Sequence, residues 1–158
     1  MPKVYVVQLL RRTISPHRAQ AQEDCGGYVA SITNEEEYQT VLALIDATLG
    51  SDHDGVWLGA FQSKTSNQEG GNESEFQWRD GATPFYAKWA EGQPDNRLDE
   101  FNGGRMRGQH ALLLNSDGLM QDESASDLFR PAVFLLPSDY DTNPVYEDCL
   151  TDTLLTGS

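Results

Sequence analysis

Four carboxylates, Asp95, Asp99, Glu100 and Asp122, fall in or just beyond the least patterned stretch of the chain. A pair of carboxyl groups flanking a glycosidic bond can act as acid and base, so their convergence would be the route to hydrolysis. With 25 acidic residues in the chain, however, such clustering is expected without function. No GxSxG, P-loop or HExxH motif accompanies them, nor any paired Cys/His arrangement. No enzyme is expected. His17, His53 and His110 are too far apart for zinc-type spacing, and neither Cys25 nor Cys149 sits in a CxxC or near a His. The same stretch carries Arg97, Arg105 and Arg107, which stand out against a net charge of −14. They fit either a solvated loop or a surface that meets an acidic protein epitope.

The charge narrows the partners. With 11 basic residues against 25 acidic ones, the chain lacks the basic footprint that displaces counterions from phosphates, so nucleic acid is excluded. Anionic membrane surfaces are disfavoured for the same reason. Cations, neutral polar ligands and basic partners remain. No apolar run approaches about 20 residues, so no membrane insertion is expected. The apolar stretch Val4–Leu10 is followed, not preceded, by Arg11 and Arg12, which is the wrong order for a signal peptide.

The elements that must position these residues are few, because 158 residues suit one domain. Residues 3 to 10 are dense in β-branched and aromatic side chains and predict a strand. Ser15-Pro16 opens a helix that runs about to Cys25 and stops at Gly26-Gly27. Tyr28–Ile32 is extended. A second helix begins at a capping box of Thr33 and Glu36. Tyr38, Val41, Leu42, Ile45 and Leu49 form its apolar stripe, and Gly50 ends it. Strands are predicted at Val56–Ala60, Phe76–Trp78, Ala111–Leu114 and Pro131–Leu136, with a turn at Asn115–Gly118. From Ala82 to about Gly108 no period survives, and a loop that long inside one domain is usually functional. The pattern is α+β.

In that order the motifs resemble the C-type lectin-like domain over roughly residues 4 to 136. The carriers are Gly26-Gly27-Tyr28-Val29-Ala30-Ser31-Ile32, Val56-Trp57-Leu58-Gly59 and Phe76-Gln77-Trp78-Arg79-Asp80-Gly81. Tyr86, Trp89, Gly92 and Gln93-Pro94-Asp95-Asn96 follow, then Asn115–Gly118 and Asp122. The resemblance implies two helices flanking small antiparallel sheets, with a long irregular binding loop. Trp57, Trp78 and Trp89 are expected to anchor the core beneath that loop, and Gly59 to admit a neighbouring backbone.

The resemblance also implies a site. In calcium-dependent members the Pro of the loop follows a cis peptide bond that turns the flanking oxygens to one point. Calcium takes six to eight oxygens, and two vicinal sugar hydroxyls can complete its shell. The Gln-Pro-Asp form tends to accompany galactose-type ligands. Carried over, Gln93 and Asp95 would contact calcium and sugar, with Asp122 adding a carboxylate. The later Glu ligand falls at Gln109, with Glu100 as substitute, and the family's Trp-Asn-Asp reads Met120-Gln121-Asp122. The metal set is thus Gln93, Asp95, Glu100, Gln109, Gln121 and Asp122. The ligand set is Gln93, Asp95, Asn96, Arg97 and Phe101, whose ring could face a sugar. Few carboxylates remain in this shell, so the implied calcium site is a weak one. The expected function is a carbohydrate-binding lectin-like module. The alternative is a calcium-independent module that binds proteins through the long loop.

Such domains usually carry two disulfides. Here Ala111 stands at one expected cysteine position and Leu136 near another. Cys25 reads as a small buried hydrophobe, with a Cys25–Cys149 bond as the lesser alternative. Residues 1–136 are expected to form the domain and 137–158 an acidic tail of weak order, docking through Val145-Tyr146 or Leu154-Leu155. The resemblance places the protein outside the cell or on its surface.

Overall fold

The computed structural model describes residues 3–62, 76–93, 99–101, 105–107, 111–123, 128–139, 142, 144 and 149. Strand β1 (Val4–Arg12) pairs antiparallel with the last strand, β9 (Arg130–Leu136), from Val4 opposite Leu136 to Arg12 opposite Arg130. This pairing joins the two ends of the domain. Strand β2 (Tyr28–Val29) also pairs with β9, while β3 (Val56–Gln62) runs parallel to it at Trp57 and Ala132. Strands β4 (Phe76–Trp78) and β7 (Ala111–Leu114) pair antiparallel with β3, and β8 (Met120–Glu123) pairs with β7. Together they make one seven-stranded mixed sheet. Strands β5 (Asp99–Phe101) and β6 (Arg105–Arg107) form a separate antiparallel pair.

The sheet is covered on both faces, which is why β3, β7 and β9 read as continuous apolar runs. Side chains of a strand alternate between faces, and the two cores divide accordingly. Leu58, Leu112, Leu114 and Val133 lie with Tyr38, Val41 and Ile45 of helix α2 (Glu35–Leu49). Trp57, Leu113, Ala132 and Phe134 lie on the other face, with Ile14 of helix α1 (Ile14–Ala19). Trp57 therefore does not share a core with Trp78 and Trp89, as expected from sequence. It is fully buried on the α1 face, and its indole N–H donates to the Arg12 carbonyl at 3.0 Å.

The local predictions hold with shifts that have physical reasons. Helix α1 starts two residues earlier than Ser15-Pro16 implies, with Thr13 at the N-cap position, so that Pro16 is the third helical residue. The first helical N–H groups have no intrahelical partner, so the missing proton of Pro16 costs nothing there. The helix continues as a π-helical stretch, Gln20–Asp24, and ends at Gly26 with φ +68°. Helix α2 is capped by Asn34, not Thr33: the Asn34 side chain accepts from the Glu37 N–H at 2.8 Å. Glu37 in turn accepts from both the N–H and hydroxyl of Thr33, each at 2.8 Å. The capping residues thus sit one position later than predicted. Gly59 behaves as expected, since a Cβ there would collide with the Val29 carbonyl while its N–H donates to the Ala30 carbonyl at 2.8 Å.

The cysteines require a correction. Cys25 is buried, but it is not a free hydrophobe: it forms a disulfide with Cys149, 124 residues away in sequence. Cys149 is half-buried against the α1-side core. The bond draws the chain beyond residue 137 back to the end of the first helix. Val145, Tyr146, Leu154 and Leu155 lie outside the described residues.

Candidate functional site

The long loop leaves the domain from an aromatic platform. Phe85 stacks between Trp78, at 4.5 Å between centroids, and Trp89, at 6.0 Å. Phe76 meets Trp89 edge-on at 5.3 Å. Such ring pairs add about 0.5–1.5 kcal/mol each beyond the area they bury. The platform is tied to helix α2, because the Tyr86 hydroxyl donates to Glu35 at 2.8 Å. That hydrogen bond raises the Tyr86 pKa.

From the platform the chain is stitched to β8. The Met120 N–H donates to the Lys88 carbonyl at 2.7 Å and the Ala90 N–H to the Met120 carbonyl at 2.8 Å. A turn follows, closed by the Gln93 N–H on the Ala90 carbonyl at 3.0 Å, with Gly92 at φ +78°. Glycine adopts that left-handed conformation without a Cβ penalty. The turn aims Gln93 back at β8, where its side-chain oxygen accepts from the Asp122 N–H at 3.3 Å.

Strand β8 is delivered by the predicted turn. Asn115 Oδ1 accepts from the N–H groups of Asp117 and Leu119, at 2.9 and 3.1 Å, and the Asn115 N–H donates to the Leu119 carbonyl. Alternation then puts Met120 and Asp122 inward and Gln121 and Glu123 outward. Asp122 is 1% exposed and has partners in the fold. A carboxylate that deep needs hydrogen-bonding or a cation to stay ionised.

The structure thus brings together two residues of the expected site, Gln93 and Asp122. It does not bring Gln121 to them. Gln121 lies on the opposite side of β8, where its oxygen accepts from Asn115 at 3.1 Å and its amide donates to Glu123 at 2.7 Å. The contact of Gln93 is with the backbone N–H of Asp122, while Gln121 makes its hydrogen bonds on the other face of the strand. Glu100 and Phe101 lie in β5, whose backbone alone is described. Pro94, Asp95, Asn96, Arg97 and Gln109 lie outside the described residues. A cis peptide bond is present at Thr83–Pro84. Among the described residues no three His, Cys, Asp or Glu side chains group as a metal site.

Sequence reasoning missed the β5–β6 pair inside the loop. Its register sets Asp99 opposite Arg107, Glu100 opposite Met106 and Phe101 opposite Arg105. The opposite charges of Asp99 and Arg107, not apolar alternation, are the signal that could have found it.

No protein-family model matches the chain. A perlucin-like protein from Mytilus galloprovincialis is 32% identical over 76 residues, 48% of this chain and 44% of that protein. The chain thus spans less than half the length of this curated relative. Among solved structures, human lithostathine aligns with a TM-score of 0.65 and 19% identity, covering 85% of this chain and 91% of that one. The carbohydrate-recognition domain of human scavenger receptor C-type lectin aligns at 0.63 with 21% identity, covering 84% and 89%. The C-type carbohydrate-recognition domain of cow CD23, solved with a GlcNAc2Man3 oligosaccharide, aligns at 0.63 with 19% identity, covering 87% and 91%. The chain has the C-type lectin-like fold. No helix among the described residues is long and apolar enough to cross a membrane.

Proposed function

We propose that this C-type lectin-like domain is a carbohydrate-binding module that holds galactose-type sugars on the loop from Glu91 to Gly108, assisted by calcium. The observation that carries the reading is the meeting of Gln93 and Asp122 at the root of that loop, through the 3.3 Å hydrogen bond. Gln93 and Asp122, with Asp95, Glu100 and Gln109, would hold the ion. Bound calcium supplies a hard positive charge with coordination positions open to vicinal hydroxyls. The side chains orient the sugar: Gln93, Asp95 and Asn96 by hydrogen bonds, Arg97 as a donor, and Phe101 as an apolar face for the ring. The two carbohydrate-recognition domains of the same fold support the reading. The Cys25–Cys149 bond supports placing the protein outside the cell, since disulfides persist in oxidising compartments.

The test is retention on immobilised galactose in calcium. The module should be retained, released by EDTA, and pass a mannose column. Flow-through on galactose at several millimolar calcium would sink the reading, because extracellular sites saturate at about 0.1–1 mM.

One observation favours a second reading, a calcium-independent protein-interaction module. The Gln93 oxygen already accepts from an N–H, and the Gln121 oxygen accepts from Asn115. In that case Arg97, Arg105 and Arg107 would dock an acidic epitope. Capture of a protein partner in EDTA, lost when these three become Gln, would support it; unchanged capture would count against it.

A further inference from the structure

The basic residues of the described structure mostly meet carboxylates. Arg11 and Arg130 share Asp54, Lys3 meets Glu37 and Lys88 meets Glu35. Arg18 and Arg79 do not. The Arg18 guanidinium, on α1, donates to the Ser15 hydroxyl at 3.0 Å. The Arg79 guanidinium, in the turn after β4, lies over the Phe61 ring at 4.2 Å, and its backbone N–H donates to the Gly59 carbonyl. No carboxylate among the described residues pairs with either, in a chain where acids outnumber bases 25 to 11.

The two guanidiniums flank one cleft of about 80 Å³ between α1 and β3. A water needs about 10–15 Å³ measured the same way, so the cleft has room for a small polyatomic anion. It adjoins an apolar crevice of about 10 Å³, bordered by Arg18, Arg79, Tyr28 and Val29, which has room for no more than a water. Burial lowers the proton affinity of both guanidiniums, and the Arg79 charge lowers that of Arg18 further. Two cations beside one cleft repel each other unless an anion joins them, and guanidinium forks suit tetrahedral oxyanions in a bidentate way.

We propose that Arg18 and Arg79 form an oxyanion site for a sulfate or phosphate group, held between the two guanidiniums in the larger cleft. The site lies on the α1 side of the sheet, holds no residue of the Gln93–Asp122 cluster, and does not depend on the sugar-binding reading.

The test is an NMR titration of the full chain in EDTA at fixed ionic strength, following the Arg side-chain N–H signals. The probes are 4-nitrophenyl sulfate, 4-nitrophenyl phosphate and inorganic sulfate. At least one of these oxyanions should shift the Arg18 and Arg79 signals saturably, and the ranking of esters against inorganic sulfate distinguishes an esterified ligand from the free ion. Arg18→Gln and Arg79→Gln should each weaken that binding about tenfold or more, the scale of a lost charge-assisted bond, while Arg11→Gln leaves it unchanged. Both variants should fold, because each removes a like-charge repulsion. If Arg79→Gln fails to fold through loss of its contact with Phe61, Arg18→Gln decides alone. The proposal is overturned if no probe saturates, or if the Arg variants bind as the parent does.

Discussion

The disulfide offers the sharpest check on how the chain is tied together. Cys149→Ser is the perturbation to use, because Cys25 is fully buried and a serine there would bury a hydroxyl. Closing a loop of 124 residues removes denatured-state entropy worth about 5 kcal/mol. Not all of this reaches stability. In the reduced native state β9 still holds Leu136 in the core that contains Cys25, and only the segment after it gains freedom. Tethering a segment of about a dozen residues costs about 3 kcal/mol by the same relation. The net loss is therefore about 2 kcal/mol if the released segment frays, and approaches 5 kcal/mol if it stays docked. At about 2–4 °C per kcal/mol for a chain of this size, Tm should fall by roughly 4–8 °C in the first case. The assay is thermal unfolding of the parent, the dithiothreitol-treated parent and Cys149→Ser, with thiol titration of the native parent. The reduced parent and the variant should agree, and the untreated parent should show no free thiol. Two titratable thiols in the native protein, or a Tm unchanged within 1–2 °C on reduction, a shift too small for about 2 kcal/mol, would refute the reasoning.

Gly59→Ala places a methyl against the Val29 carbonyl in a strand buried at all but one position, where neither backbone can yield; we expect a loss of about 3 kcal/mol, read from urea midpoints. His17 is fully buried, and burial, with Arg12 nearby, lowers its pKa from 6.5 to about 4 despite the hydrogen bond to the Arg130 carbonyl. The unfolded chain therefore takes the proton first. The contribution of this residue is complete above pH 6.5 and is lost as pH falls toward 4, about 3 kcal/mol in all. His17→Gln should flatten the urea-stability profile between those limits; an unchanged slope would show that His17 is not the group responsible.

How much of this was legible in the sequence follows the physics that encodes each part. Helix α2 is local: its cap, acidic first turn and apolar stripe lie within 17 residues, and only the capping partner moved, from Thr33 to Asn34. Strands β3, β7 and β9 declare themselves by burial on both faces, yet that continuity hides which side chain faces which helix, so the sequence groups Trp57 with Trp78 and Trp89 although the sheet separates them. Strands β5 and β6 carry no apolar period and were read as loop. The Cys25–Cys149 bond has no local signature at all, since pairing across 124 residues is decided by the sheet that brings β9 beside the end of α1. For the site, Gln93 and Asp122 were legible as a motif pair. Strand alternation turns Gln121 to the face opposite Asp122, which a motif read residue by residue does not show.

The central claim is that sugar binds at the root of the loop, where Gln93 meets Asp122. The direct measurement is an NMR titration with a β-galactoside at about 1 mM calcium, the upper range for extracellular sites. The side-chain amide of Gln93 and the backbone N–H of Asp122 should shift together and saturably, and EDTA should reverse both. Galactoside that leaves these two signals unmoved, or moves only signals elsewhere in the domain, would contradict the account.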